Sequence, residues 1–415
     1  MREMKDSGIE WIGQIPKDWD VVPHKRVMHK VKKICEQYSG EDIISLTMNG
    51  VIKRDLTAGG KMPTSFDGYQ YVKPNDLLLC LFDIDVTPRC VGVVKDYGVT
   101  SPAYSRFVMH DGYYNAYYDY LLRAIDDDKV FVHLSKNLRS SLTESDFGAI
   151  KTCVPSLAEQ KRIVTFLDAQ CAEIDAVLEK TRASIEEYKK LNQAVITQAV
   201  TKGIRGDRPM KNSGIEWSGE IPAEWGVVPH KRIMHKVKEI CEQYNGGDII
   251  SLTVNGVVKR DLTAGGKMPT SFDGYQYVEP NDLLLCLFDI DVTPRCVGVV
   301  RDYGVTSPAY SRFVMHDGYY NAYYDYLLRM IDDNKVFVHL SKNLRSSLTE
   351  SDFGAIKTCA PPLAEQKCIA AFLDVRCDEI DALIAKKQQY LTEIENYKKS
   401  LIYEYVTGKK EVHPL

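Results

Sequence analysis

Shifting the numbering by 206 lays residues 42–153 onto 248–359 with six differences in 112 positions: Met48/Val254, Ile52/Val258, Lys73/Glu279, Lys95/Arg301, Ala124/Met330 and Asp128/Asn334. Each copy runs into a long helical stretch, residues 156–201 and 362–407. Such a duplication restricts the fold, because the same domain must form twice and bury the same apolar side chains. Two equal modules on helical spacers present two equal sites, which suits a ligand carrying one element twice. DNA with an inverted repeat is the commonest ligand of that kind.

At 415 residues, 44% hydrophobic and 27% charged, the chain holds enough apolar material for two globular cores plus connectors. No stretch approaches the roughly 20 uninterrupted apolar residues of a membrane span, and Met1-Arg2-Glu3-Met4-Lys5-Asp6 leads into no apolar signal core, so a cytoplasmic protein is expected. Eleven cysteines recur as Cys35/Cys241, Cys80/Cys286, Cys90/Cys296, Cys153/Cys359 and Cys171/Cys377, with Cys368 alone. They read as reduced, mostly buried thiols; Cys80 and Cys90 lack the close cysteines or histidines of a zinc site.

The net charge is −4, and residues 1–156 hold 20 Lys and Arg against 21 Asp and Glu. A nucleic-acid binder with this balance must gather its cations on one face or borrow phosphate contacts from partner subunits. Local runs point to the first: His24-Lys25-Arg26, His29-Lys30-Val31-Lys32-Lys33, Lys53-Arg54 and Lys136-Asn137-Leu138-Arg139. Each also fits a solvated surface.

Along one copy, Ser7-Gly8-Ile9-Glu10-Trp11 and Ile15-Pro16-Lys17-Asp18-Trp19 form an irregular aromatic strap, repeated at residues 213–217 and 221–225. Residues 24–37 carry Val27, Val31 and Ile34 along one side of a basic helix. Strands are expected at 42–52, 70–72, 77–85, 90–94 and 104–110, and a helix at 115–125 through Tyr117, Tyr120, Leu121 and Ala124. Each copy is thus an α+β domain of about 150 residues.

The tails differ in kind. Leu167, Cys171, Ile174, Leu178, Thr181, Ile185, Tyr188, Asn192, Val195 and Ala199 alternate steps of four and three, the seam of a coiled coil. Leu373, Cys377, Ile380, Ile384, Lys387, Leu391 and Ile394 repeat it. Forty or so residues at about 1.5 Å each make rods of roughly 60 Å. A single rod cannot bury its own stripe, so the tails are expected to pack on each other; run antiparallel, they relate the two domains by an approximate two-fold axis and set the distance between them.

The junctions Cys153-Val154-Pro155-Ser156-Leu157-Ala158-Glu159-Gln160-Lys161 and Cys359-Ala360-Pro361-Pro362-Leu363-Ala364-Glu365-Gln366-Lys367 resemble the P-P-L-x-E-Q motif that opens the spacer helices of specificity subunits of type I restriction–modification systems. The strap SGIEWIGQIPKDWDVVPHKR, the segment SKNLRSSLTESDFGAIKTCVP and the ending Tyr405-Val406-Thr407-Gly408-Lys409 agree. The resemblance covers essentially the whole chain, as target-recognition domain (1–156), spacer helix and linker (157–205), target-recognition domain (206–362) and spacer helix (363–415). It implies two α+β domains that bind double-stranded DNA and are related by a pseudo-two-fold axis. It also implies long helices in an antiparallel coiled coil, two methyltransferase subunits that bind S-adenosylmethionine, and restriction (motor-nuclease) subunits. No cofactor is implied in this chain, and no membrane.

One departure stands out: in that family the two recognition domains are normally dissimilar, whereas these are nearly the same. The target is then expected to be a bipartite inverted repeat around an unspecified gap. Lys73/Glu279 and Asp128/Asn334, which change charge, read as surface drift.

No Asn-Pro-Pro-Tyr-like methyltransferase loop occurs, and Ala58-Gly59-Gly60-Lys61-Met62 lacks the glycine and hydroxyl of a phosphate loop. The enzymatic alternative is a duplicated metal-dependent nuclease: Asp83/Asp85 and Asp289/Asp291 in Phe-Asp-Ile-Asp would share a strand face and a divalent ion. A Glu-x-Lys or histidine at suitable spacing is missing, and both acids equally fit a strand end beside Arg89.

For DNA contact the candidates are Lys53, Arg54 and Lys61 around Thr57-Ala58-Gly59-Gly60, Arg89 after a Thr-Pro turn, and Ser135, Lys136, Asn137, Arg139 and Ser140, whose side chains suit base edges and phosphates. Their counterparts are Lys259, Arg260, Lys267, Arg295, Ser341, Lys342, Asn343, Arg345 and Ser346. Each also fits a structural ion pair. Tyr113, Tyr114, Tyr117 and Tyr118 could stack on bases, but their helical spacing favours packing.

Overall fold

The computed structural model describes residues 2–48, 50–57, 63–87, 89–135, 140–263, 269–293, 295–341 and 346–412. The chain divides into two compact units, Met1–Arg182 with Gln389–Leu415, and Ala183–Gln388. Each unit holds one α+β domain, the start of the long helix that follows it, and the end of the other long helix.

In the first unit the strap opens as a short hairpin, Met4–Asp6 with Gln14–Pro16, and Asp20–Pro23 pairs antiparallel with Lys151–Val154. A four-stranded antiparallel sheet runs in the order Met28–Val31, Ser105–Met109, Leu77–Leu79, Val91–Val93. Beside it lie the hairpin Ile44–Thr47/Gly50–Lys53 and the pair Gln70–Val72/Gly98–Thr100. Helices α1 (Asn115–Asp127), α2 (Val130–Leu134) and α3 (Glu144–Ala149) complete the domain, and α4 (Leu157–Lys202) leaves it. A capping box starts α3: Thr143 accepts from the Asp146 amide while Asp146 accepts from the Thr143 amide.

The second unit repeats this with α5 (Asn321–Asp333), α6 (Val336–Leu340), α7 (Glu350–Ala355) and α8 (Leu363–Val406). Here the hairpin Ile249–Thr253/Gly256–Lys259 joins a five-stranded sheet through a parallel pairing with Gly304–Thr306. The equivalent contact in the first unit is a single parallel bridge, Ile43 to Val99.

Both cores are built around a fully buried tryptophan and a pair of edge-on tyrosines: Trp19 with Tyr117 and Tyr118, and Trp225 with Tyr323 and Tyr324. These tyrosines pack the core, so they offer no base-stacking platform. The far helix end enters each core, as Leu401 and Val406 in the first unit and Ala199 and Val200 in the second.

Within each unit the two helices run antiparallel. In the first, Phe166 meets Tyr405, Asp175 binds Lys398 at 2.6 Å and Arg182 binds Glu395 at 2.6 Å, so α8 numbers fall as α4 numbers rise. In the second, Tyr188 lies under the Lys387 ammonium and Asn192 faces Asp381. The expected seam is buried or half-buried at every position of both helices.

Three expectations fail. The single strand expected at 42–52 is a tight hairpin, Ile44–Thr47 with Gly50–Lys53, because the chain turns at Met48 and the two halves bond to each other. Residues 24–37 form no helix: His24–Arg26 is a 3-10 turn and Met28–Val31 a strand paired with Ser105–Met109. Val27, Val31 and Ile34 have helical spacing by coincidence, and β-branched Val31 and the histidines accept the extended backbone that cross-strand bonding rewards. The strand expected at 77–85 stops at Leu79; Ile84 is buried as a plug from the loop that follows, which is why the apolar run outlasts the strand. Ten of the cysteines are buried free thiols and Cys368 is exposed. Among the described residues no helix is long and apolar enough to cross a membrane.

Candidate nucleic-acid interface

The P-P-L-x-E-Q residues hold the scaffold together. Glu159 accepts from the Trp19 indole at 3.0 Å and pairs with Arg2, fastening the strap to the start of α4. Gln160, fully buried, accepts from the Tyr114 amide at 2.8 Å and donates to the Pro155 carbonyl at 2.9 Å, so it fixes the start of α1 against the start of α4. Glu365 and Gln366 repeat both roles with Trp225, Arg208 and Tyr320. These groups orient the domain on its helix.

The contact candidates fall in two places. Lys53 and Arg54 close the hairpin at the end away from its tip, beside a groove of about 490 Å³ lined by Tyr38, Glu41, Asp42 and Asp55. Lys53 pairs with Asp42 at 2.7 Å; Lys259 pairs with Asp248 at 2.8 Å and Asp302 at 3.3 Å, which holds its ammonium above the usual lysine range. Main-chain bonds from Arg54 to Ile43 and from Arg260 to Ile249 tie this end of each hairpin down.

At the other end, Arg89 donates from Nε to the Met48 carbonyl at 3.1 Å and reaches Asp127 at 3.5 Å, bracketing the hairpin tip to the end of α1. Arg295 lies within electrostatic reach of Asp325 and Asp333, whose carboxyls are nevertheless raised by burial. Ser135 and Ser341 donate to Val132 and Val338 at 2.7 Å, capping the ends of α2 and α6. Ser140 and Ser346 have φ of 44° and 43°, and their carbonyls accept from Ile84 and Ile290 at 3.0 Å. Ser140 and Ser346 are thereby tied to the turns that carry Phe82 and Val86 in the first domain and Phe288 and Val292 in the second. Met48, Phe82 and Val86 stand exposed there, an apolar rim beside the polar groups. Lys61, Lys136, Asn137, Arg139, Lys267, Lys342, Asn343 and Arg345 lie outside the described residues.

Asp83 and Asp85 occupy the turn after the strand, with Asp83 at φ 45°, and Asp289 repeats this at 46°. The strand alternation that would aim both carboxylates at one ion is absent from this segment. Thr87 instead donates to the Asp83 carbonyl at 2.8 Å, closing the turn.

A pair of groups escaped the sequence analysis: Tyr71 and Tyr97 stack at 6.1 Å with Lys33 Nζ 5.4 Å from the Tyr71 ring, and Tyr277 and Tyr303 stack at 6.0 Å. Their partners lie 26 positions apart, so no local pattern shows them.

No family model matches the chain. Two curated proteins of Methanocaldococcus jannaschii are similar to it. A putative type I restriction enzyme MjaX specificity subunit is 23% identical over 436 aligned positions, covering 97% of this chain and 96% of that protein. The type I restriction enzyme MjaVIII specificity subunit is 26% identical over 291 positions, 65% of this chain and 64% of that protein. Among solved structures, a chain described under the complex assembly and conformational transition of the type I R-M system superposes with a TM-score of 0.71 at 14% identity, over 95% of this chain and 99% of that one.

Proposed function

This chain belongs with the specificity subunits of type I restriction–modification systems, and from that premise we propose that each of its two domains reads one half of a bipartite DNA site whose halves carry the same bases. The observation that carries this is the near-identity of the domains: 106 of 112 aligned residues are shared, the candidate contact residues among them. Equal readers select equal half-sites. Each domain also sits at the start of one long helix and holds the end of the other, so exchanging α4 for α8 turns one description into the other. That exchange supports an inverted rather than a direct repeat.

In this reading the chain is the recognition component and leaves the chemistry to others. Two methyltransferase subunits, with S-adenosylmethionine, dock on it and are placed over one base in each half-site; restriction subunits join that core. Sequence would be read by the loops at the hairpin tip and around 135–141, where Arg89, Ser135 and Ser140 lie in the first domain and Arg295, Ser341 and Ser346 in the second. Lys53, Arg54, Lys259 and Arg260 would supply phosphate contacts at the hairpin base.

Selection of bound duplexes from a randomised DNA pool by the chain assembled with its methyltransferase subunits tests this. The expected product is one short sequence recovered twice in inverted orientation around a fixed gap. Recovery of two clearly unlike halves, or of no preferred sequence, overturns it.

A further inference from the structure

We propose that the face of the first domain formed by Lys33, Tyr71, Lys73 and Tyr97 grips the DNA backbone beside its half-site, and that the matching face of the second domain, which carries Glu239 and Glu279, does not. The proposal rests on the DNA-reading function above and adds an asymmetry to it.

Between residues 24–153 and 230–359 only two positions reverse charge, Lys33/Glu239 and Lys73/Glu279. They are 40 residues apart in sequence and converge on one guanidinium. In the second domain Arg312 has Glu239 at 3.8 Å and Glu279 at 3.9 Å around its 2.6 Å contact with Asp282. In the first, Arg106 keeps the equivalent contact with Asp76 at 2.6 Å and donates to the Tyr71 carbonyl at 3.1 Å, while Lys33 and Lys73 replace the two glutamates. The backbone at both positions is held alike: Tyr71 donates to the Lys33 carbonyl and Tyr277 to that of Glu239, each at 2.8 Å, and the amides of Lys73 and Glu279 bond to Asp76 and Asp282. One scaffold thus carries Lys33, Lys73 and Arg106 with the carboxylates of Asp76 and Glu41 in the first domain, and Arg312 alone with Glu239, Glu279 and Asp282 in the second, where Gly247 stands in place of Glu41.

The aromatic partner is common to both, with the outer ring well exposed: Tyr97 at 56% and Tyr303 at 59%. Exposed lysines beside a stacked tyrosine pair suit a phosphodiester backbone. The face also continues into the groove at Lys53 and Arg54, because the Tyr71 hydroxyl bonds at 3.2 Å to Glu41, one of the groove's lining residues. A chain that reads the same bases twice can differ between its halves without altering its site only in contacts that carry no base information, and phosphate contacts are of that kind. An acidic protein partner is the competing occupant of a lysine face. Continuity with the groove and the tyrosine stack favour DNA.

The substitutions that test this are each present in the sister domain, so the scaffold accepts them. The chain assembled with its methyltransferase subunits would carry either K33E with K73E or E239K with E279K. Its affinity for a duplex with two identical half-sites would be followed between 50 and 200 mM salt. Two phosphate contacts correspond to a change of about two in the slope of log K against log salt, or roughly ten-fold in affinity across that range. The expected result is a shallower slope for the first variant, a steeper slope for the second, and unchanged half-site preference in both. Unchanged slopes with selective binding intact overturn the proposal and leave the DNA-reading function standing. So does a variant that changes subunit assembly while its slope stays the same, which marks the face as a protein contact. Failure of the unsubstituted complex to prefer the duplex over random DNA instead overturns the underlying function.

Discussion

The Tyr117 hydroxyl donates a 2.7 Å hydrogen bond to the main-chain carbonyl of Val406, 289 positions away, and Tyr323 makes the same bond to Val200 at 2.9 Å. The last carbonyls of an α-helix have no partner within it, and a buried tyrosine needs an acceptor, so each bond satisfies two groups at once. Each domain thereby locks the far end of the other repeat's helix into its own core. Tyr117→Phe leaves the Val406 carbonyl without this donor and should cost about 1–2 kcal/mol. Hydrogen exchange should report it as faster opening of residues 395–406, with 190–200 unaffected, and Tyr323→Phe should do the reverse. Equal protection in wild type and variants would show that the bonds hold nothing.

One of the six differences between the domains is buried in the core that also receives the far helix end. Ala124 and Met330 are both buried, at 7% and 4% exposure, one in a core that receives Leu401, Ile402 and Tyr405, the other in a core that receives Val195, Ile196 and Ala199. A small residue accompanies the bulky end and a large one the slender end. Asp128, one turn beyond Ala124 and exposed, lies within electrostatic reach of Lys399 and Tyr403, whereas the Asn334 side-chain amide donates to the Met330 carbonyl of its own helix at 2.9 Å. Met330→Ala should destabilise the second unit by about 2–4 kcal/mol through a cavity. Ala124→Met should cost the first about 1–3 kcal/mol through overpacking. Thermal unfolding monitored separately in each unit checks both, and a neutral outcome for either swap removes this explanation.

The helical seam was readable because a heptad repeat is local: Leu167, Leu178, Leu373 and Ile380 announce their shared face without knowledge of the partner helix. The strand Met28–Val31 was not, since what makes it a strand is its pairing with Ser105–Met109, more than 70 positions on. The Phe82–Val86 turn was hidden by Ile84, an apolar residue buried from a loop. The basic runs were visible as composition, but their division between the hairpin base and its tip depends on Lys53 meeting Asp42 and on Arg89 meeting Met48 and Asp127. Only the fold decides those meetings.

Base reading and phosphate holding should separate by mutation. Replacing Arg139 and Arg345 together should relax selection equally in both halves, at about 1–3 kcal/mol for each lost base contact. Replacing Lys53 and Lys259 should weaken binding evenly across sequences and flatten its salt dependence, with the half-site unchanged. Selection from randomised DNA followed by salt titration distinguishes the two. If the lysine variant altered the recovered bases, the assignment of roles would be reversed.

His24 and His230 are fully buried against Phe147 and Phe353, with ring centroids 4.6 Å apart in both pairs. Burial holds their pKa values down to about 4 and about 3, against 6.5 for an unperturbed imidazole. Between those limits the unfolded chain binds a proton that the native chain refuses, so stability is full above pH 6.5 and falls as the pH drops toward 4. At pH 5 the loss should be about 2 kcal/mol for each histidine. A His24→Phe, His230→Phe variant keeps an aromatic ring at each site and removes the titrating group. Urea unfolding at pH 7.5 and pH 5 should therefore show a smaller acid-side loss in the variant than in the wild type, while carboxylates shared by both cancel in the comparison. Equal losses in the two proteins would show that these imidazoles already accept protons in the folded state.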